Sequence, residues 1–227
     1  MKLSPVVLVA LCVTMATAHG QGRAPAAGGL TIAQLQYGGG GDWYANPSAL
    51  PNLLRAIGAR TGVPVADRPA QVKLTDPELW NHPYLYITGH GNIRFTDEEL
   101  RVLREYLESG GFLHADDNYG LDATFRREIA RVFPDRPLVE LPTEHPVYHN
   151  FYDFPDGLPK IHQHDGKPAQ GFGIFYEGRL VVFYSYESDL GNGWEDAERH
   201  QTPPETREKA LRMGVNLFMY AIAQVAP

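Results

Sequence analysis

The sequence predicts an α/β fold in which helices cover both faces of a mainly parallel sheet, and three observations lead to this class. First, short apolar runs alternate along the chain with segments of helical periodicity. Second, residues 84–117 read as strand, helix and strand, and a helical crossover between neighbouring strands makes them parallel. Third, two late apolar runs joined by Glu177 and Gly178 predict a closing β-hairpin, which a C-terminal helix follows.

The first 18 residues have the pattern of a secretory signal peptide. Lys2 precedes an apolar run over residues 6–15, and small residues up to Ala18 form a cleavage site. A membrane anchor is the alternative, but the apolar run is too short to span a bilayer. We therefore expect cleavage after Ala18 and a secreted or periplasmic protein, in which residues 19–29 are a flexible lead-in.

Residues 30–227 are expected to form a single domain, because their composition shows no break that would divide them. The only cysteine, Cys12, lies in the predicted signal peptide, so the mature chain has no disulfide and no cysteine nucleophile. Since 27 acidic side chains outnumber 20 basic ones, nucleic-acid binding is disfavoured. The C-terminal apolar stretch contains Arg212 and Asn216, so we expect no membrane span in the mature chain.

The first half of the chain supplies a strand, a helix and two short strand candidates. Residues 30–37 alternate into a strand that ends at four glycines. A helix that begins near Ser48 carries its leucines on one stripe and ends at Gly62. Residues 63–65 and 72–74 are the strand candidates, and a brief helical turn follows them.

The central unit is the best defined part of the sequence. Residues 84–88 form an apolar run typical of a strand that is covered on both faces. Thr96 and Glu99 match the capping box that begins a helix, and residues 112–115 form the next strand. His90 follows the first of these strands in a glycine turn, so the polar residues after both strands are expected at one edge.

The second half continues with a helix over residues 122–132. The proline-rich and aromatic segment 138–160 has no period and is long for a connection, which is typical of a functional loop or an irregular cover. Strands over residues 171–176 and 179–186 form the predicted hairpin, and residues 187–204 are predicted to be a polar loop before the last helix.

Ligands of open parallel sheets bind beyond the carboxyl ends of the strands, where the strand order reverses. The candidate ligand-binding residues are those that we expect at this edge, with His90 and Asp117 as the candidate catalytic residues. The set comprises Asp42, Trp43, Tyr44, His90, Asp116, Asp117 and Asp189, with Glu187 nearby.

These residues also have structural interpretations. His90, between two glycines, could be a plain turn residue. Successive side chains that leave a strand point in opposite directions, so one of Asp116 and Asp117 could cap a turn instead of facing a ligand. His114, inside the strand, is expected to be a buried, hydrogen-bonded core residue.

Four aromatic residues lie near carboxylates in the sequence. They are Trp43, Tyr44, Tyr119 and Trp194. Such residues suit stacking on sugar rings, with hydrogen bonds from the carboxylates to hydroxyl groups. The alternative is that they pack under loops.

A divalent metal site is a further hypothesis, and no other cofactor is indicated. His145 and His149 are four residues apart, but Pro146 limits any helix there to one turn. His162 and His164 alternate, so a strand would present both on one side. The alternative is an ordinary hydrogen-bond network. The candidate metal ligands are His90, Asp117, His145 and His149.

Five motifs, taken in order, suggest a family. They are Gln-Tyr-Gly-Gly-Gly-Gly-Asp-Trp-Tyr, Thr-Gly-His-Gly, Phe-Leu-His-Ala-Asp-Asp, Glu-His-Pro-Val-Tyr-His and Gly-Arg-Leu-Val-Val-Phe-Tyr-Ser. On these motifs the chain resembles the bacterial family known as domain of unknown function 4159, over nearly all of the mature sequence.

The chain is more distantly similar to the class I glutamine amidotransferase-like superfamily, especially its trehalose-utilisation branch. This resemblance implies a three-layer sandwich with a flavodoxin-like sheet. Glutamine amidotransferases carry a cysteine on the turn after the strand that corresponds to residues 112–115, where this chain has His114, Ala115 and Asp116. The resemblance therefore does not imply glutaminase activity.

Three hypotheses for function follow. The first is an exported domain that binds a small polar ligand, with a saccharide as the favoured class, at the carboxyl edge of the sheet. The second is a metal-assisted or acid/base hydrolase that uses His90 with Asp116 or Asp117, completed by His145 or His149. The third is a structural or partner-binding module of the cell envelope.

Overall fold

The computed structural model describes residues 29–224, in which seven strands, six α-helices and two short 3-10 helices, over Pro77–Asn81 and Pro146–Tyr148, follow one another. The predicted signal peptide and residues 19–28 of the predicted lead-in lie outside the described residues. The elements are β1 (Ile32–Leu35), α1 (Ala49–Thr61), β2 (Ala70–Val72), β3 (Tyr84–Ile87), α2 (Asp97–Glu108), β4 (Phe112–Asp116), α3 (Asp122–Val132), β5 (Val139–Glu140), β6 (Gln170–Tyr176), β7 (Arg179–Tyr186), α4 (Leu190–Trp194), α5 (Ala197–His200) and α6 (Pro204–Ala223).

The strands form one sheet in the order β2-β1-β3-β4-β7-β6-β5. Strands β2, β1, β3, β4 and β7 are parallel neighbours, whereas β6 pairs antiparallel with β7 and with β5. From β1 the chain passes to β2 on one side of β1, and it then crosses to β3 on the other side of β1. The strand order therefore reverses between β1 and β3, which is the switch point where the sequence predicts a ligand site.

Helices cover both faces of the sheet, which confirms the predicted three-layer α/β sandwich. Helices α1, α4 and α6 bury their apolar residues on one face, where Phe218 packs beside Tyr84 and Trp194 beside Tyr86. Helices α2 and α3 cover the other face, which includes Leu85 and Leu113. Each fully buried large apolar side chain contributes about 1.5–3 kcal/mol, so these two layers account for much of the stability.

Several local predictions are confirmed. Thr96 and Glu99 form the capping box at the start of α2. Gly62, with φ of 71°, ends α1 in the left-handed conformation. The hairpin turn between β6 and β7 has positive φ at both Glu177 and Gly178, as a two-residue turn of this type requires. His114 is buried, and its ring nitrogens lie 2.9 Å from Tyr84 Oη and 3.0 Å from Ser185 Oγ.

Other predictions are wrong. Residues 63–65 form only an isolated bridge through Val65, and the next strand covers residues 70–72 instead of 72–74. Segment 187–204, predicted to be a loop, contains α4 and α5. Within the described part of the chain, none of the helices combines the length and apolar character that a membrane crossing requires.

Candidate functional site

The carboxyl ends of β1, β3, β4 and β7 meet at one edge of the sheet, because these strands are parallel. Two separate sets of polar side chains lie at this edge. One surrounds a cavity beyond β4 and β7, which we call the β4/β7 cavity. The other is formed by Asp42 and His90 beyond β1 and β3, which we call the Asp42–His90 pair.

The β4/β7 cavity has a volume of about 230 Å³ and a polar wall. Residues after β4, the start of α3, the segment before β6 and the end of β7 contribute to it. The lining residues are Asp117, Tyr119, Gly120, Asp122, Ala123, His164, Asp165, Lys167, Tyr186 and Glu187.

Three side chains on this wall converge. Asp117, His164 and Glu187 each offer one ligand-type atom, and these atoms all lie within 4.8 Å of one another. Each of the three side chains also has a hydrogen-bond partner that holds it in place. His164 Nε2 lies 3.0 Å from Asp189 Oδ2, the Glu187 amide donates to Asp117 Oδ2 at 2.9 Å, and Lys160 Nζ donates to Glu187 Oε2 at 2.6 Å.

Burial and neighbouring charges shift the pKa values of all three groups. Burial raises the pKa of Asp117 to about 6. The hydrogen bond to Asp189 raises the pKa of His164. Burial alone would raise the pKa of Glu187, but the hydrogen bond from Lys160 leaves it below its ordinary value. The cavity therefore presents a carboxylate whose ionised form is favoured, a carboxyl group with a pKa raised to about 6, and an imidazole whose protonated form is favoured.

These three groups are also the residues that could hold a divalent metal in the described part of the chain. Carboxylate oxygens and an imidazole nitrogen suit several divalent ions. Metal-binding histidines usually donate their second ring nitrogen to a carboxylate, as the His164–Asp189 contact allows. Lys160 already neutralises part of the charge of Glu187, so the trio also forms a satisfied hydrogen-bond network without an ion.

Asp116 does not face the cavity, contrary to its predicted role in ligand binding. It is fully buried and accepts hydrogen bonds from the hydroxyls of Tyr86 at 3.1 Å and Ser185 at 2.6 Å. It also accepts the amides of Leu190 at 3.0 Å and Gly191 at 2.6 Å, at the start of α4. Asp116 and Asp117 thus point to opposite faces, and Asp116 caps a helix that begins more than 70 residues later.

Asp189 is also buried and does not line the cavity, although it is predicted to contact a ligand. It contacts His164 instead. Its carboxylate accepts hydrogen bonds from the amide of Asn192 at 3.3 Å and from the Asn192 side chain, and it holds His164. Trp194, a candidate for stacking on sugars, is buried in the core and donates to the carbonyl of Ala210 at 2.8 Å. Tyr119, by contrast, lines the cavity and is 63% exposed.

The Asp42–His90 pair is a separate group. Asp42 accepts the backbone amide of His90 through Oδ1, and its Oδ2 lies 3.0 Å from His90 Nδ1. Burial alone would raise the pKa of Asp42, but the hydrogen bonds with His90 lower it overall. Trp43 and Tyr44 stand edge to face beside the pair, with ring centroids 5.5 Å apart. The sequence predicts that His90 and Asp117 share one pocket, but His90 does not line the β4/β7 cavity.

The histidines predicted to complete a metal set lie elsewhere. His145 packs against Phe175 and Tyr220, and Phe175 pairs with Leu180 near the start of β7. Because β7 begins at the amino edge of the parallel strands, His145 lies at the edge opposite the cavity. His149 pairs with Asp153, and its Nε2 lies 2.7 Å from the carbonyl oxygen of Thr143. The structure therefore does not join either histidine to His90 or Asp117.

Two larger cavities lie away from the carboxyl edge. One, of about 410 Å³, lies between α3 and β6 and includes Arg126 and Asp135. The other, of about 680 Å³, lies beside α1 and includes Arg55 and Asp67. Neither wall includes a histidine, and each has a single carboxylate, so the β4/β7 cavity has the greater convergence of reactive groups.

Three residues at the β4/β7 cavity are not among the site residues predicted from the sequence. Lys160, His164 and Lys167 come from the segment before β6, which has no regular structure over residues 160–169. The alternation of His162 and His164 was the available signal, although the segment is not a strand; the two rings lie 5.7 Å apart.

Comparison with known proteins gives one family. The family model described as Domain of unknown function (DUF4159) matches residues 31–222, which include every strand and helix to within two residues. A search of curated proteins found no match.

Proposed function

Because this chain belongs to the DUF4159 family, whose description assigns no activity, we propose its function from the β4/β7 cavity: binding of a small polar ligand of the saccharide class. The observation that carries this proposal is the convergence of Asp117, His164 and Glu187 on the wall of one cavity. Ligand sites commonly combine a concave surface with a few convergent polar groups whose pKa values are shifted.

The chemistry of the wall supports a hydroxylated ligand. The carboxylates of Asp117 and Glu187 can accept hydrogen bonds from hydroxyl groups, and Lys167 can donate. The exposed ring of Tyr119 offers an apolar face for a sugar ring. The cavity is smaller than the roughly 300–1,000 Å³ of sites for drug-sized ligands, so it favours a ligand of about one sugar ring.

Isothermal titration calorimetry with a panel of neutral monosaccharides tests the proposal. We expect at least one to bind with a dissociation constant below about 1 mM. Asp117→Asn should weaken that binding about tenfold or more, since a hydrogen bond to a charged group contributes about 1.5–3 kcal/mol. Asp156→Asn, at an exposed position outside the cavity wall, is the matched control. Unchanged binding by Asp117→Asn would contradict the proposal.

A second candidate function is metal-assisted or acid/base hydrolysis in the same cavity. It is favoured by the hydrogen bonds that orient the three side chains. These bonds join Asp117 to the Glu187 amide, His164 to Asp189, and Glu187 to Lys160. A divalent ion held by these residues would lower the pKa of a bound water. Elemental analysis of protein purified without chelator, together with titration by Zn²⁺ and Mn²⁺, tests this candidate. Absence of stoichiometric metal, with no effect of Asp117→Asn on any turnover, would remove it.

We further propose that the chain is a divergent relative of the class I glutamine amidotransferase-like superfamily, without glutaminase activity. The parallel sheet and its switch point between β1 and β3 support this relationship. At the end of β4 the chain has His114, Ala115 and Asp116, where those enzymes carry a nucleophilic cysteine. Absence of glutamine hydrolysis by the purified protein is the expected result.

Export is proposed on the sequence of residues 1–18 alone. N-terminal sequencing of protein recovered from the culture medium or periplasm should begin at His19. Recovery of an intact first segment would contradict the cleavage.

A further inference from the structure

The Asp42–His90 pair has a bonding pattern that leaves one ring nitrogen available. An ionised carboxylate can only accept hydrogen bonds, so Asp42 Oδ2 requires a proton on His90 Nδ1 at 3.0 Å. In a neutral imidazole with that tautomer, Nε2 carries the lone pair. Across residues 29–224, Nε2 of His90 makes no hydrogen bond, and the side chain is 51% exposed.

Tight loop packing fixes the pair in place. A β-carbon on Gly89 would lie 2.4 Å from Tyr37 Oη and 2.7 Å from the carbonyl oxygen of Asp42. A β-carbon on Gly41 would lie 2.9 Å from the carbonyl oxygen of His90. The Asp42 amide donates to that same carbonyl at 3.3 Å, so the two loops are joined through backbone as well as side chains. The imidazole is thus held in one orientation before any ligand arrives.

The surroundings define what the pair can bind. It spans the carboxyl ends of β1 and β3, where the strand order reverses. Trp43 and Tyr44 directly follow Asp42 in the chain, and the ring of Tyr44 is 63% exposed. Within residues 29–224, neither member of the pair bonds to a lysine or an arginine, and Asp42 carries negative charge. A neutral ligand is therefore favoured over an anion.

We infer that the Asp42–His90 pair is a second site, in which His90 Nε2 removes a proton from a water or hydroxyl group beside a neutral acyl ligand. Asp42 is a positioning residue that sets the tautomer and orientation of the ring. With an ester, the water proton moves to Nε2 while the water oxygen bonds to the carbonyl carbon. The bond to the alcohol then breaks, and the imidazolium returns its proton to the leaving oxygen or to solvent. This inference concerns a site distinct from the β4/β7 cavity and does not depend on the function proposed there.

Hydrolysis of p-nitrophenyl acetate at pH 8 tests the reaction. Wild-type protein should exceed an equal concentration of free imidazole, and His90→Gln should lose about tenfold or more, the lower range of general-base contributions. His149→Gln is the matched control, because His149 also pairs with an aspartate but both of its ring nitrogens are bonded. A wild-type rate no higher than that of imidazole, or a rate for His90→Gln within twofold of wild type, would overturn the inference.

Asp42→Asn provides an independent measurement. An amide can keep the contact to the His90 amide through its oxygen while its nitrogen donates to Nδ1, which places the proton on Nε2. Nitrogen-15 NMR should therefore show an Nδ1–H tautomer for His90 in wild type and an Nε2–H tautomer in the variant, with a similar loss of ester hydrolysis. An Nε2–H tautomer in the wild-type protein would overturn the inference even if His90→Gln failed to fold.

Discussion

The β4/β7 cavity and the Asp42–His90 pair share one edge of the sheet but differ in what supports them. Behind the cavity, buried Asp189 holds His164, and next to Asp189 the buried Asp116 bonds to three elements of the fold. The Asp42–His90 pair is instead half exposed and supported mainly by two tight loops. A polar group that is built into the core couples the site to folding, whereas a pair on surface loops can change with little effect on stability.

The largest effect that distinguishes the regions is expected from Asp116→Ala. The change leaves the amides of Leu190 and Gly191 and the hydroxyl of Tyr86 in the core without this acceptor. The Ser185 hydroxyl keeps the carbonyl of Ala115 at 3.2 Å. Each unsatisfied group costs about 1–3 kcal/mol, so we expect a loss of more than about 3 kcal/mol in the free energy of unfolding. Asp42→Ala should cost about 1 kcal/mol, because water can replace much of its bonding. Urea unfolding followed by circular dichroism measures both, and equal losses would contradict the comparison.

Whether an element depends on neighbouring or on distant residues explains how much of it the sequence could predict. Capping of α2 and the turn between β6 and β7 depend on residues within a few positions of one another, so their patterns were sufficient. Helix α4 was not predicted, because Leu-Gly-Asn-Gly-Trp contains two glycines of low helix propensity and Asp116 caps it from another strand.

For the candidate sites, the sequence predicted which residues reach the carboxyl edge but not which of them meet. Asp42 and His90 are 48 residues apart, and both follow strands that the sequence predicts to be parallel. Their pairing depends on the close approach of two glycine loops, which has no signal in either loop alone. His164 reaches Asp189 from an irregular segment, where neither helical nor strand periodicity gives a direction.

The second prediction concerns the loops around the Asp42–His90 pair. Gly89 has φ of 129°, and a β-carbon there would overlap Tyr37 Oη. Gly89→Ala should lower the free energy of unfolding by about 3 kcal/mol through backbone strain and steric overlap. Gly120, beside the β4/β7 cavity, also has positive φ, at 87°, but a β-carbon there meets no atom within 4 Å. Gly120→Ala, the matched control, should cost only about 1 kcal/mol. Similar losses at the two positions would contradict the tight packing of the first loop.

The third prediction concerns the pH dependence of the unfolding free energy. Asp117 in the β4/β7 cavity and Asp42 in the Asp42–His90 pair should contribute to it with opposite signs. Burial raises the pKa of Asp117 to about 6 from the ordinary value of 3.8, so the folded protein binds this proton more tightly than the unfolded chain. Its stabilising contribution is full below about pH 4 and is lost as the pH rises through about 6, by an amount on the order of 3 kcal/mol. The pKa of Asp42 is lowered, so its contribution is present above the ordinary value and is lost as the pH falls.

Unfolding free energies measured from pH 3 to pH 8 for wild type, Asp117→Asn and Asp42→Asn check both signs. The difference between wild type and Asp117→Asn should decrease as the pH rises from about 4 to about 7. Over this range the unfolded wild-type chain releases the Asp117 proton before the folded protein does, and the variant has no such proton. The difference between wild type and Asp42→Asn should increase as the pH rises through the ordinary range of an aspartate. If both differences changed in the same direction, burial of Asp117 and hydrogen bonding of Asp42 to His90 could not be the causes of their opposite pKa shifts.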